Sequence, residues 1–150
     1  MKTVVGRIDR VINTFKVIVS GFVLNKDNEL LVIRRSKDEE SFPDMLAIPG
    51  GTVEVNATGT LEKDVVENTL IREVLEETNV KVRVCDWMES TAIVKGEPGK
   101  LYLFFTCELI DEINELQTSE ETPAVFWSSV HALDVNQCTP TLREYVEKHL

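Results

Sequence analysis

The stretch REVLEETNV, residues 72–80, sets the carboxylates of Glu73, Glu76 and Glu77 at i, i+3 and i, i+4 spacing. On a helix turning ~100° per residue, such side chains share one arc and can converge. Leu70, Ile71, Val74 and Leu75 fall on another arc that suits a core. Like charges at this spacing repel, and the C-terminal end of a helix disfavours anions further. Arg72, four residues before Glu76, can pair with it, but no lysine interrupts the acidic run. One account of the pattern is a solvated acidic face. The other is a hard divalent cation, Mg2+ or Mn2+, held by carboxylate oxygens and sharing its coordination with substrate phosphates.

A helix needs neighbours to aim such a cluster. Asn79 follows its last turn and suits the left-handed C′ position, while either Thr60 or Asp64, with Glu67 three residues on, could open it. Upstream, KVIVSGFVLN and LLVIRRS read as two strands of a hairpin joined by the turn-forming KDNE. A polar loop then leads to MLAIPGG, a short strand running into a proline-glycine turn. Downstream, VKVRVC reads as a strand, STAIVK and KLYLFFTCEL flank the turn GEPG, and AVFWSSV is a further short strand. In the closing TPTLREYVEKHL, Thr139 caps a helix, Pro140 takes its first position, and Leu142, Tyr145, Val146 and Leu150 make its apolar stripe. Hairpins outnumber regular βαβ units, so the expected class is α/β of the α+β type, a mixed sheet with helices packed on it.

The bulk properties narrow the function. The 150 residues suit one domain, 1–150, with a real core. A formal net charge of −10 argues against nucleic acid as a partner. It leaves room for an anionic small molecule where metal ions or arginines offset the field. Cys85, Cys107 and Cys138 are too widely spaced for a zinc site and odd in number, which suits free thiols in a reducing cytoplasm. No apolar run is long enough to span a membrane, and the opening MKTVVGRIDRV lacks the apolar stretch of a secretory leader. The expected location is cytoplasmic.

REVLEETNV, preceded by IPGG, resembles the Nudix hydrolases, whose motif is G-x5-E-x7-R-E-U-x-E-E-x-G-U with U aliphatic. Arg72, Glu73, Val74, Glu76, Glu77 and Val80 match its second half, and Gly51 matches the opening glycine. Asp64 stands where the motif has its first glutamate, and Asn79 replaces the late glycine. Twelve residues separate Gly51 from Asp64, so the loop is expanded, and its length is expected to bear on selectivity. GFVLNKDNELLVIRRS, FPDMLAIPGGTVE, AVFWSSV and the last helix come in the family's order, so the resemblance covers most of the chain.

The resemblance implies an α/β/α sandwich with a catalytic helix near residues 61–78. It implies hydrolysis of a diphosphate linkage in a nucleoside diphosphate-X substrate, with Mg2+ or Mn2+ as cofactor. Glu73, Glu76 and Glu77 would be the ligands, joined by the carbonyl of Gly51. Glu77 or Glu73 would serve as general base, and the sequence does not choose between them. Arg72 would position a carboxylate. Gly50 and Gly51 would let the backbone approach metal or phosphate, and Glu54 would stand behind them. Arg34 ends a strand where the family often places a phosphate-contacting arginine and is expected to take that role, alternation turning only one of Arg34 and Arg35 inward. Glu120 and Glu121 are candidates for a further ligand or base. Trp127, Phe126, Phe104 and Phe105 could stack on a base, though such aromatics more often belong to a core. His131 and His149 receive no role. The partner is a small nucleotide or nucleotide derivative, with neither nucleic acid nor membrane, and a homodimer is compatible with the family. A nucleotide-binding or regulatory module of the same fold, without hydrolase activity, is the alternative.

Overall fold

The computed structural model describes residues 11–110 and 115–150. The leading segment 1–10, read above as lacking a leader's apolar stretch, lies outside the described residues. Strands β1 (Phe15–Leu24), β2 (Leu30–Arg34), β3 (Leu46–Ala47) and β4 (Gly50–Thr52) precede helix α1 (Val65–Thr78). Strands β5 (Val82–Ile93), β6 (Gly99–Leu109) and β7 (Ala124–Ser128) follow, and helix α2 (Pro140–His149) comes last. The sheet order is β3-β2-β1-β6-β5, with β4 also paired to β1 and β7 to β2. β1 and β6 run parallel over ten residue pairs, from Phe15↔Gly99 to Leu24↔Glu108, and the other named pairings are antiparallel. The mixed sheet expected from the sequence is therefore present.

Strand alternation divides the core into two layers. Val19 and Val23 of β1, Leu31 of β2 and Cys107 of β6 pack on one side with Leu70 and Val74 of α1. Phe22, Leu30, Val32 and Phe104 pack on the other with Leu142 and Val146 of α2. Leu70, Val74, Leu142 and Val146 have no exposed surface, and each contributes about 2 kcal/mol of apolar burial. One helix thus covers each face. Leu75, expected in the core, is 38% exposed, and Leu150 lies past the end of α2 at 66%.

The β1–β2 turn is held by Asn25, whose Oδ1 accepts the amides of Asp27 and Glu29 at 2.9 Å each. Two boundaries differ from expectation. Helix α1 begins at Val65, so residues 61–64 are not helical. Asp64 does occupy the N-cap position, but its backbone is left-handed (φ 55°) and its side chain accepts no capping bond. An extended backbone is what turns a cap side chain toward the first amides, so the expected capping box does not form. Secondly, VKVRVC and STAIVK are one strand, β5, whose register against β6 shifts between Val84 and Asp86 and again between Trp87 and Glu89. Asn79 meets its expectation with φ 65° and its amide donating to the Leu75 carbonyl at 2.8 Å.

The cysteines are free thiols, Cys85 exposed and the other two buried. Burial pushes the Cys107 thiol up to about 12, so it carries almost no reactive thiolate near neutrality. Alkylation at pH 8 is expected to modify Cys85 within minutes and Cys107 only with global unfolding. Mass spectrometry of partially labelled protein checks the order; equal labelling rates would refute the burial of Cys107.

Candidate functional site

The two glycines after Pro49 form β4 rather than the turn expected there. Gly50 and Gly51 pair with Ser20 and Val19 of β1, and α1 packs directly over β4. That contact seats two carboxylates one helical turn apart. The Gly50 amide donates to Glu77 Oε1 at 2.8 Å. At Gly51 a β-carbon would lie 2.4 Å from Glu73 Cδ and 2.8 Å from its Oε2, so only glycine leaves the Glu73 carboxylate where it is. The pair at i, i+4 therefore faces the sheet edge, while Glu76 turns out to solvent, its side chain 61% exposed.

Burial raises the Glu77 carboxyl from an ordinary 4.5 to about 8, against the opposing Gly50 hydrogen bond, with Glu73 and Glu121 adding repulsion. Glu73 is raised too, by burial first and then by the charge of Glu76, with Arg72 acting the other way. Arg72 bridges Glu73 at 3.2 Å and Glu76 at 3.7 Å, a geometry suited to positioning a carboxylate.

Glu73 and Glu77 line a cleft of about 830 Å³ together with Gly50, Gly51, Glu54 and Glu121. Glu120, Arg72 and Glu76 do not line it. The lining also holds the cationic Arg35, Lys100 and Lys16, together with Tyr102. Arg34 is turned away, its guanidinium donating to the Asp44 carbonyl at 2.8 Å and to Gln137 Oε1 at 3.1 Å. Of the neighbouring pair it is Arg35, just past the end of β2, that enters the cleft. There it donates from Nε to the Ser41 carbonyl at 3.1 Å and meets Glu39 at 3.4 Å. Phe105, Phe126 and Trp127 pack against the two cores away from the cleft, and Phe104, which borders the cleft, is 5% exposed.

Sequence reasoning missed Arg35, Tyr102, Lys100 and Lys16. Alternation along KLYLFF put Lys100, Tyr102 and Phe104 on one face, but only the parallel register of β6 on β1 places that face beside Lys16 and Ile18.

The wall around Gly50 and Gly51 suits a hard cation in its chemistry. Glu73, Glu77 and Glu121 are oxygen donors, the charge of Glu121 raising the pKa of both Glu73 and Glu77, and the glycines leave the backbone bare beside them. Among the described residues no three His, Cys, Asp or Glu side chains close on one point as a complete cage. Mg2+ rarely uses one, because it keeps waters and substrate oxygens among its ligands.

Comparison with known proteins agrees with this architecture. The model of the NUDIX domain matches residues 14–148. Nudix hydrolase 5 of Arabidopsis thaliana is 32% identical over 123 residues, which cover 79% of this chain and 37% of that protein. The chain thus spans little more than a third of that relative's length. The crystal structure of the MutT protein from Methanosarcina mazei Go1 superposes with a TM-score of 0.70 at 18% identity, covering 93% of this chain and 95% of that one. A MutT NUDIX hydrolase from Burkholderia pseudomallei gives 0.67 at 18%, covering 92% and 100%. At such identities the likeness to the solved structures is one of fold.

Proposed function

This chain belongs to the Nudix family, and from that premise we propose that it is a metal-dependent pyrophosphohydrolase cleaving the diphosphate linkage of a nucleoside diphosphate-X substrate by water attack on phosphorus. The observation that carries the reading is the seating of Glu77 on the Gly50 amide and Glu73 against Gly51, in a cleft that Arg35 also lines.

Glu73, Glu77 and the Gly51 carbonyl are the proposed holders of Mg2+ or Mn2+, with Glu76, one turn from Glu73, as the third carboxylate. Bound there, the cation would neutralise diphosphate oxygens and acidify water. The protein's own groups do the rest. Arg35 reaches the diphosphate, Arg72 holds Glu73 and Glu76 in place, and Glu54 and Glu121 stand at the edge of the site. One of Glu73 and Glu77 takes the proton from the attacking water. Glu77, whose raised pKa makes its ionised carboxylate the stronger base, suits that part. The three free thiols support a reducing compartment, and we place the protein in the cytoplasm. Among the described residues no helix is long and apolar enough to cross a membrane.

The test is hydrolysis of a panel of nucleoside diphosphate derivatives with Mg2+, Mn2+ or EDTA, for the wild type and Glu76→Gln. Cleavage is expected with either cation, none with EDTA, and a loss of at least about 100-fold in the variant. Cleavage that ignores EDTA would sink the metal-dependent reading. Silence across the panel with nucleotide binding intact would favour the binding module.

A further inference from the structure

From the cationic end of the cleft we propose a second anion subsite, built from Lys16 and Lys100, that takes a phosphate or carboxylate carried on the moiety beyond the diphosphate. The inference rests on the pyrophosphohydrolase reading for the placement of the diphosphate and adds a substrate class to it: derivatives with a further negative group.

The parallel register sets Lys16 of β1 directly beside Lys100 of β6, and both line the cleft. Like charges opposite one another on neighbouring strands destabilise a sheet. A protein of net charge −10 has carboxylates to spare, yet neither lysine meets one within ion-pairing distance among the described residues. Lys100 Nζ instead donates to Ser41 Oγ, on the loop that borders the cleft. Glu54, which the antiparallel register of β4 on β1 carries opposite Lys16, is exposed, and the acids of the loop and of α2 are engaged elsewhere or on the rim. Glu39 pairs with Arg35, Glu144 pairs with Lys148 at 2.9 Å, and Asp38 and Glu40 are exposed on the loop.

Distance along the strand separates this pair from the carboxylate wall. Ser20 is opposite Gly50, and Lys16 lies four residues before it on the same strand, on the order of 13 Å away. Arg35 stands nearer the wall, close enough to act on Glu77 and on Tyr102. A diphosphate between Glu73, Glu77 and Arg35 would leave the lysines facing the far part of the substrate, one sugar or nucleoside away. Ile18 and Ile93 are apolar neighbours there, with the rings of Phe42 and Tyr102 also in the lining. Two ammonium groups on a partly apolar floor match an anion better than an uncharged ring.

Matched pairs differing in one anionic group test this by equilibrium binding to the intact protein at low salt. NADPH against NADH and coenzyme A against dephospho-coenzyme A report on phosphate; UDP-glucuronate against UDP-glucose reports on carboxylate. In at least one pair the anionic member is expected to bind about tenfold tighter, and the ratio is expected to fall to about one in Lys16→Met/Lys100→Met. The pair showing the preference identifies the anion. Equal affinities within every pair, a preference that survives in the variant, or no binding of any member at millimolar concentration would each overturn the subsite. Turnover measured in parallel separates the two readings. Preference without turnover keeps the subsite and removes the hydrolase, whereas turnover without preference does the reverse.

Discussion

Glu77→Gln is expected to lower kcat/KM by about 1,000-fold or more while making the metal-free protein more stable above pH 7. The two effects share a cause. Helix α1 and β4 bury the Glu77 carboxyl, and its pKa rises from 4.5 to about 8 in the folded chain. Between those values the folded state keeps a proton that the unfolded state has lost, so stability falls as pH rises from about 5 to 8 and levels off above that. The total is on the order of a few kcal/mol, with Glu73, raised in the same direction, adding to it. A divalent cation reverses the penalty by pairing with the ionised form, so it should raise the Tm more at pH 8 than at pH 5. Glutamine retains the amide contact to Gly50 without a charge and removes most of the slope. Thermal melts in EDTA from pH 5 to 9, for both proteins, check this. A wild-type stability that climbs over that interval would contradict the buried-acid account, and a fully active variant would contradict the role of Glu77.

How far the sequence foretold this site depends on the range of the interaction concerned. The carboxylate helix, its C-terminus at Asn79 and the Thr139–Pro140 start of α2 were legible because local spacing and cap chemistry set them. Helical periodicity put Glu73, Glu76 and Glu77 on one arc, but it could not say that Glu73 and Glu77 line the cleft while Glu76 is exposed. Which flank of α1 meets the sheet edge is decided by β4, and β4 was hidden because Gly50 and Gly51 read as a turn. Their strand character comes from pairing with β1, a contact between residues about thirty positions apart. The same limit explains Arg35. Alternation said that one arginine of the two points inward, and the choice was made by Asp44 and Gln137, which hold Arg34 elsewhere. Asp64 misled for a local reason, since a left-handed backbone at the cap position cannot be read from a capping-box pattern. Lys16 and Lys100 are 84 residues apart, meeting through a parallel pairing for which neither strand carries a signature.

The glycine pair allows fold and site to be separated by two single substitutions of the same size. At Gly50 a β-carbon would lie 2.1 Å from the Val19 carbonyl oxygen and 2.8 Å from Ser20 Cα. Both belong to the backbone of β1, which is central to the sheet and cannot retreat. Gly50→Ala is therefore expected to cost about 3–5 kcal/mol and to break the amide contact to Glu77. At Gly51 the obstructing atoms are Cδ, Cγ and Oε2 of Glu73, the end of a flexible side chain. Gly51→Ala should cost only about 1 kcal/mol, because Glu73 can swing aside, but the swing takes the carboxylate off the wall of the cleft and away from its place beside Glu77. Activity should then fall about 100-fold in a protein that melts within a few degrees of wild type. Urea unfolding and kcat/KM measured on both variants give the comparison. If Gly51→Ala keeps full activity, the position of Glu73 against β4 is not what the reaction uses; if Gly50→Ala is as stable as wild type, the close approach of β4 to β1 is not what holds that edge of the sheet.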